Sequence, residues 1–100
     1  MSYRIAYQQR AIMEYEVAAT WYKERIKQAA EKFETAVNEK INLLRENPKR
    51  YRKTYLEFRE IQLNKYPFNV IYLIDDIKML VIISSIYHHK RNPKKKYKKL

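Results

Sequence analysis

The order of apolar periodicities along the chain is the strongest constraint on its fold. The opening "YRIAY" alternates, so Tyr3, Ile5 and Tyr7 share one side, which is the period of a half-buried strand. From Ala11 the apolar residues recur at steps of three and four, as in an amphipathic helix. Helical periodicity should end at Asn47, because a proline at position 48 disfavours the helical conformation of the residue before it.

The helical region contains two apolar stripes. The first comprises Ile12, Tyr15, Ala19, Tyr22 and Ile26, widened by Val17 and Trp21, and the second comprises Ala30, Phe33, Val37, Ile41 and Leu44. No glycine or proline separates the two stripes. Periodicity alone therefore leaves open two helices or one long bent helix.

Strand patterns follow the helical region. "LEFREIQL" alternates like a half-exposed strand, whereas "FNVIYLI" and "MLVIISSIY" are continuous β-branched and aromatic runs typical of central strands. "DDIK" between the last two predicts a hairpin loop, and "KRYRKTY" is too polar and basic for a core element. The predicted fold is α+β, with an N-terminal strand and a helical hairpin packed on a small, twisted, largely antiparallel sheet.

Positive charge is concentrated in the second half of the chain. Residues 1–48 carry 8 basic and 7 acidic side chains, whereas residues 49–100 carry 14 basic and 4 acidic ones. A cationic half attracts polyanions, so RNA, DNA or a strongly acidic protein are the expected partners.

Length and composition restrict the remaining possibilities. A chain of 100 residues predicts one domain spanning residues 1–100, with a basic tail at 94–100. The sequence has no cysteine, no apolar run long enough for a membrane span and no signal-peptide pattern, so we expect a cytoplasmic protein with no membrane partner.

Metal and serine chemistry have little support in the sequence. His88 and His89 are neighbours that project differently from a strand, and the close carboxylate pair Asp75 and Asp76 lies in a predicted turn. Ser84 and Ser85 lie inside a predicted strand without a glycine elbow. We expect no metal and no cofactor.

Metal-free phosphoryl chemistry on RNA needs an acid or base and cations that stabilise phosphate charge. His88 or His89 can serve as the acid or base, with His88 preferred, while Arg91 and Arg59 are the candidate phosphate ligands. The same "HHKR" segment also fits a basic rim at a strand end with no catalytic role.

Further cations form the predicted target-binding or polyanion-binding surface. Its members are Lys49, Arg50, Arg52, Lys53, His89, Lys90, Lys94, Lys95 and Lys96, together with Tyr97 as an aromatic among cations. Residues 94–99 are expected to form an exposed accessory arm that adds little stability.

Four segments in order, "ENPKRY", "FREIQL", "KYPFNVIYLI" and "SIYHHKRNP", resemble the RelE/ParE superfamily of toxins from type II toxin–antitoxin systems. The resemblance covers nearly the whole chain. It implies a break between the two helices near residues 26–29. It also implies an acidic cognate antitoxin that wraps the toxin and neutralises it in a hetero-oligomer. We expect the antitoxin to lay an amphipathic helix or strand against the hairpin or an exposed sheet edge.

The superfamily divides by target. RelE-like members cleave ribosome-bound messenger RNA and commonly carry an arginine before the apolar run of the third strand, where this chain has Asn69. The segment "HHKRNP" looks more like ParE-like members, which inhibit DNA gyrase by binding it. We therefore favour a ParE-like gyrase inhibitor over a ribosome-dependent endoribonuclease. A nucleic-acid-binding module without toxicity is the third alternative.

Overall fold

A computed structural model describes residues 2–91 and 96–97 of the chain. In chain order the elements are β1 (Arg4–Tyr7), α1 (Gln9–Arg25), α2 (Ala29–Glu46), a single 3-10 turn (Pro48–Arg50), β2 (Lys53–Tyr55), β3 (Phe58–Gln62), β4 (Phe68–Asp75) and β5 (Leu80–His88). The α+β prediction is confirmed. The helical conformation is interrupted at residues 26–28, between the two helices, as expected. The second helix ends at Glu46 with Asn47 as its C-cap, also as expected.

The five strands form one mixed sheet in the order β1-β5-β4-β3-β2. β1 pairs with β5 in parallel, and the other three pairings are antiparallel. The helical hairpin carries the chain from β1 to β2 at the opposite edge of the sheet, and the three antiparallel pairings that follow bring β5 back beside β1 in the parallel direction. Of the residues described, neither helix has the length and apolar content needed to cross a bilayer.

The main core lies between the hairpin and one face of the sheet. On α2 the predicted stripe is confirmed, with Phe33, Val37, Ile41 and Leu44 all buried. On α1 the predicted stripe was partly wrong, because Ala11 and Ala18 are the buried residues and Ile26 is 65% exposed. Apolar residues surround α1 on more than one side, so their spacing did not identify the face that meets the sheet.

A smaller apolar cluster covers the face of the sheet opposite the helices, which we call the outer face. Phe58, Ile71 and Tyr87 form this cluster, and Leu73 and Tyr97 pack against it.

Two turns without glycine contain left-handed residues. Leu56 has φ 49° in the turn between β2 and β3, and Met79 has φ 51° in the turn between β4 and β5, one residue beyond the predicted loop. The prediction that Leu56 belongs to a strand was wrong, since it lies in a turn and is 66% exposed. β2 was not predicted, because its residues are all exposed and carry no apolar alternation.

Candidate functional site

A gap in the strand pairing beside β5 organises the candidate site. β1 ends opposite Ile83, and the register of β4 with β5 shifts at Ser84. Beyond these points β5 still pairs with β4, but its other edge, where β1 has ended, has no neighbouring strand. Glu14 of α1 fills this gap. Its Oε1 accepts hydrogen bonds from the Ser85 hydroxyl at 2.7 Å and from the Ile86 backbone N–H at 3.1 Å.

The same carboxylate binds two arginines. Oε2 of Glu14 lies 3.3 Å from Nε of Arg10 and accepts a close hydrogen bond from Nη1 of Arg91. The Glu14 side chain is only 10% exposed, whereas that of Arg91 is 42% exposed. Arg91 is thus fixed against the N-terminal half of α1 while its guanidinium still faces solvent in part.

The turn after β5 is held by hydrogen bonds to the strand itself. The Tyr87 hydroxyl donates to the Arg91 carbonyl at 2.6 Å, and the Arg91 N–H donates to the His88 carbonyl at 3.1 Å. These contacts hold residues 88–91 in a compact turn. The predicted pair His88 and Arg91 therefore does lie at one place in the fold.

His88 is oriented by its neighbours. Its ring packs edge-on against Phe68, with centroids 4.9 Å apart, and its Nδ1 accepts the N–H of Lys90 at 3.0 Å. Since Nδ1 is an acceptor, the proton of the neutral ring is on Nε2. Burial, followed by repulsion from His89, Lys90 and Arg91, lowers the pKa of His88 below its ordinary value.

We expect an NMR titration of the His88 ring to have its midpoint below about 6.5, the value for an unperturbed histidine. Because the unfolded chain then binds the proton more readily, His88 should make the fold less stable as pH falls through that range. His89→Gln removes one source of repulsion and should raise the pKa of His88 slightly. A midpoint above 6.5 in the wild-type chain would contradict this arrangement.

A groove of about 510 Å³ runs between α1 and this end of β5. Phe68, Ile86 and Ala18 are its buried apolar residues, and His88 and Arg91 contribute polar groups. Met13, Val17 and Trp21 line its α1 side at intervals of four residues and are 56%, 71% and 50% exposed. The groove therefore continues into an exposed apolar stripe on α1.

Arg59 lies elsewhere. It pairs with Tyr72, whereas His88 pairs with Phe68, four residues away along β4. That separation is about 13 Å along the strand at ~3.3 Å per residue. Nη1 of Arg59 also donates to the carbonyls of Lys49 and Tyr51, at 3.1 Å and 2.5 Å. The fold thus uses Arg59 to hold the segment before β2 against the sheet.

The predicted basic segment 49–53 is exposed beside this end of the sheet, and part of it is paired. Lys49 lies 2.9 Å from Asp76, and Lys53 lies 3.0 Å from Glu57. Arg50 lies over the Tyr51 ring at 5.9 Å, and Arg52 is exposed.

His89, Lys96 and Tyr97 lie on or beside the outer face. Nε2 of His89 is 2.9 Å from Oδ1 of Asn69, whose amide donates to Glu60 at 2.9 Å. Glu60 also binds the Lys96 ammonium at 3.0 Å and accepts from the Tyr97 hydroxyl. The prediction of an exposed arm was wrong at Lys96 and Tyr97, which are half-buried. Lys90 is exposed, and Lys94 and Lys95 lie outside the described residues.

Two acids that sequence reasoning missed, Glu14 and Glu60, organise these surfaces. Glu14 lies between Ala11 and Ala18 on the buried side of α1, so an acid within an apolar face was the available signal. Glu60 carried no such signal, because alternation with Arg59 is also expected of an exposed strand. Within residues 2–91 and 96–97, no three His, Asp or Glu side chains cluster as a metal site would require.

Comparison with known families decides the classification. The family model described as ParE toxin of the type II toxin–antitoxin system parDE matches residues 5–93. The chain belongs to the ParE toxin family. No curated protein matches the sequence.

Solved structures share this fold at low sequence identity. The chromosomal ParDE toxin–antitoxin system from P. aeruginosa has a chain with TM-score 0.75 and 14% identity, covering 87% of this chain and 96% of that one. A chain of the intact E. coli RelBE toxin–antitoxin complex has TM-score 0.63 and 18% identity, covering 90% and 100%. The YoeB dimer from Staphylococcus aureus gives 0.58 and 18%, covering 88% and 99%.

Proposed function

We propose that this ParE-family chain inhibits growth in the cytoplasm by binding DNA gyrase, and that an acidic antitoxin neutralises it in a hetero-oligomer. The proposal treats the turn at residues 88–91 as a binding surface that carries out no reaction. The observation that supports binding over cleavage is the state of His88, whose Nδ1 already accepts the Lys90 N–H.

To act as a general acid, His88 would have to be the imidazolium, which carries a proton on both Nδ1 and Nε2. Protonation of Nδ1 would break its hydrogen bond from Lys90, and the burial and neighbouring cations that lower the pKa of His88 disfavour the imidazolium. A neutral ring with its proton on Nε2 is suited to donating a hydrogen bond to a bound partner. His88 thus favours recognition over proton transfer.

The arginines support the same choice. A cleavage site would require cations free to meet the charge that develops on phosphate. Arg91 is paired with Glu14, and Arg59 holds backbone carbonyls about four residues' distance away along the sheet. Arg91 remains 42% exposed, so it can still donate to a carboxylate or carbonyl of a protein partner.

The apolar stripe on α1 supports the antitoxin part of the proposal. Met13, Val17 and Trp21 present a row of exposed apolar side chains, and the groove beside them ends at His88 and Arg91. An amphipathic segment could bury this row while its acidic residues reach the cationic turn. The similar P. aeruginosa and E. coli structures are themselves toxin–antitoxin systems.

The proposal is tested with wild type, Arg91→Ala, His88→Ala and Lys27→Ala. Lys27 is exposed in the segment between the helices. Its substitution also removes one positive charge, but at a position outside the groove. Wild type should inhibit supercoiling by purified gyrase. Arg91→Ala should weaken inhibition roughly 10–100-fold, from the loss of a charge-assisted contact of about 1.5–3 kcal/mol. His88→Ala should have the smaller effect, and Lys27→Ala should match wild type.

The same proteins are added to translating ribosomes, and messenger RNA cleavage is measured. Cleavage by wild type that is lost in His88→Ala would overturn the proposal in favour of a RelE-like endoribonuclease. Normal growth on induction of soluble wild type without antitoxin would overturn toxicity itself. Thermal melting of each variant identifies any loss of activity that comes from unfolding.

A further inference from the structure

The outer face of the sheet already holds a ligand, which is part of the chain itself. We propose that this face is a binding site for a peptide bearing a lysine followed by a tyrosine, and that Lys96 and Tyr97 occupy it in the free protein. The site consists of the aromatic cluster around Phe58 and Tyr87 together with the carboxylate of Glu60.

Tyr97 contacts the site through both its ring and its hydroxyl. The ring stacks on Tyr55 with centroids 4.9 Å apart and planes 26° apart, and it lies 5.3 Å from the ring of Phe58. The hydroxyl donates to Glu60 and lies 2.9 Å from the Thr54 hydroxyl. A phenylalanine could make the stacking contacts but could not satisfy Glu60, so the site selects for a phenol.

Lys96 supplies the cation. Its ammonium lies 3.0 Å from Oε1 of Glu60 and 5.3 Å from the centroid of the Tyr87 ring. A cation close to an aromatic face and a carboxylate at once gains from both interactions. The backbone carbonyl of Lys96 also accepts a hydrogen bond of 3.4 Å from Arg10, which ties this dipeptide to α1.

Glu60 determines which class of ligand the site accepts. Its side chain is 7% exposed and lies within hydrogen-bonding distance of Asn69 as well as the two tail residues. A nucleic-acid strand stacked on these aromatic rings would bring its phosphates close to this carboxylate, and like charges at short distance repel each other. A cationic peptide neutralises it. The aromatic rings therefore fit a lysine–tyrosine segment better than a single-stranded RNA.

The tether makes the bound tail a strong competitor. A segment joined by a short linker has an effective concentration of order mM at its site. A separate peptide must compete with this tethered segment to occupy the outer face. An external ligand is therefore best detected when the chain's own dipeptide has been removed. The full-length variant Lys96→Ala/Tyr97→Ala empties the site without shortening the chain.

The test adds the fluorescein-labelled peptide "NPKKKYKKL", residues 92–100, to this double variant and to wild type, with anisotropy as the measurement. We expect saturable binding to the double variant and binding at least tenfold weaker to wild type, whose site is filled. A control peptide with alanines in place of the central lysine–tyrosine pair should bind the double variant with at least tenfold lower affinity. Adding Glu60→Gln to the double variant should weaken binding of the native peptide by a similar factor.

Each opposite result would overturn the proposal. A double variant that keeps the wild-type circular dichroism spectrum but fails to bind the peptide, or binds both peptides equally, has no such site. A labelled single-stranded oligonucleotide that gains affinity in the double variant, while the peptide does not, would identify a nucleic-acid platform instead. In wild type, absence of NMR cross-peaks between the Tyr55 and Tyr97 rings would show that the tail does not occupy this face.

Discussion

Glu14→Ala should lower the free energy of unfolding by about 2–4 kcal/mol, because it leaves two buried donors without an acceptor at ~1–2 kcal/mol each. Those donors are the hydroxyl of Ser85 and the backbone N–H of Ile86, and both residues are buried. For a domain of this size the melting midpoint should fall by roughly 10–25 °C. Urea denaturation and thermal melting measure both quantities.

Glu16→Ala is the matched control, since Glu16 lies on the same helix and is exposed. It should change stability by less than about 0.5 kcal/mol. Glu14→Gln retains an oxygen that can accept from Ser85 or Ile86, but removes the charge that binds Arg10 and Arg91. The stability of Glu14→Gln should lie between those of Glu14→Ala and wild type. Equal stability of the Glu14→Ala and Glu16→Ala variants would show that the gap beside β5 is satisfied in another way.

Phe33→Ala should lower the free energy of unfolding by about 3–5 kcal/mol, the range observed when a large buried side chain is removed and a cavity remains. Phe33 is fully buried and contacts the rings of Tyr15, Tyr22, Tyr66 and Phe68 at centroid distances of 5.0–5.7 Å. Its loss removes the centre of the aromatic cluster that joins both helices to the sheet. Denaturant unfolding provides the measurement.

Leu43→Ala on the same helix is the control, because Leu43 is 48% exposed. This substitution should lower the free energy of unfolding by about 1 kcal/mol or less. Phe33→Ala should also disturb His88, since Phe68 lies between the two rings. Movement of the His88 NMR signals in Phe33→Ala but not in Leu43→Ala would connect core packing to the candidate site. Equal destabilisation by the two substitutions would contradict the assigned role of Phe33.

Much of the fold was predictable from local pattern. The second helix carries one apolar stripe and ends before Pro48, and both the stripe and the end were predicted correctly. β4 and β5 followed from continuous β-branched runs, whose length and composition suit central strands. The inward face of α1 was not predictable in the same way, because exposed Val17 and Trp21 are as apolar as the residues that face the sheet.

The candidate site was predictable only in part. His88 ends a strand and Arg91 follows it by three residues, so the sequence placed them together. Glu14 is 77 positions from Arg91, and no local pattern connects a helix carboxylate to a gap in a distant strand. The β-bulge at Ser84 that accompanies this gap has no glycine to mark it.

The sequence by itself determined the order and type of the main elements and the charge asymmetry, because these depend on periodicity and composition within short windows. Tertiary structure alone decided that Arg59 supports the backbone instead of joining His88, and that Tyr97 lies against the outer face. These outcomes depend on which carbonyls, carboxylates and rings the folded chain brings within a few ångströms. Local spacing carries no information about such distances when the partners are far apart in the chain.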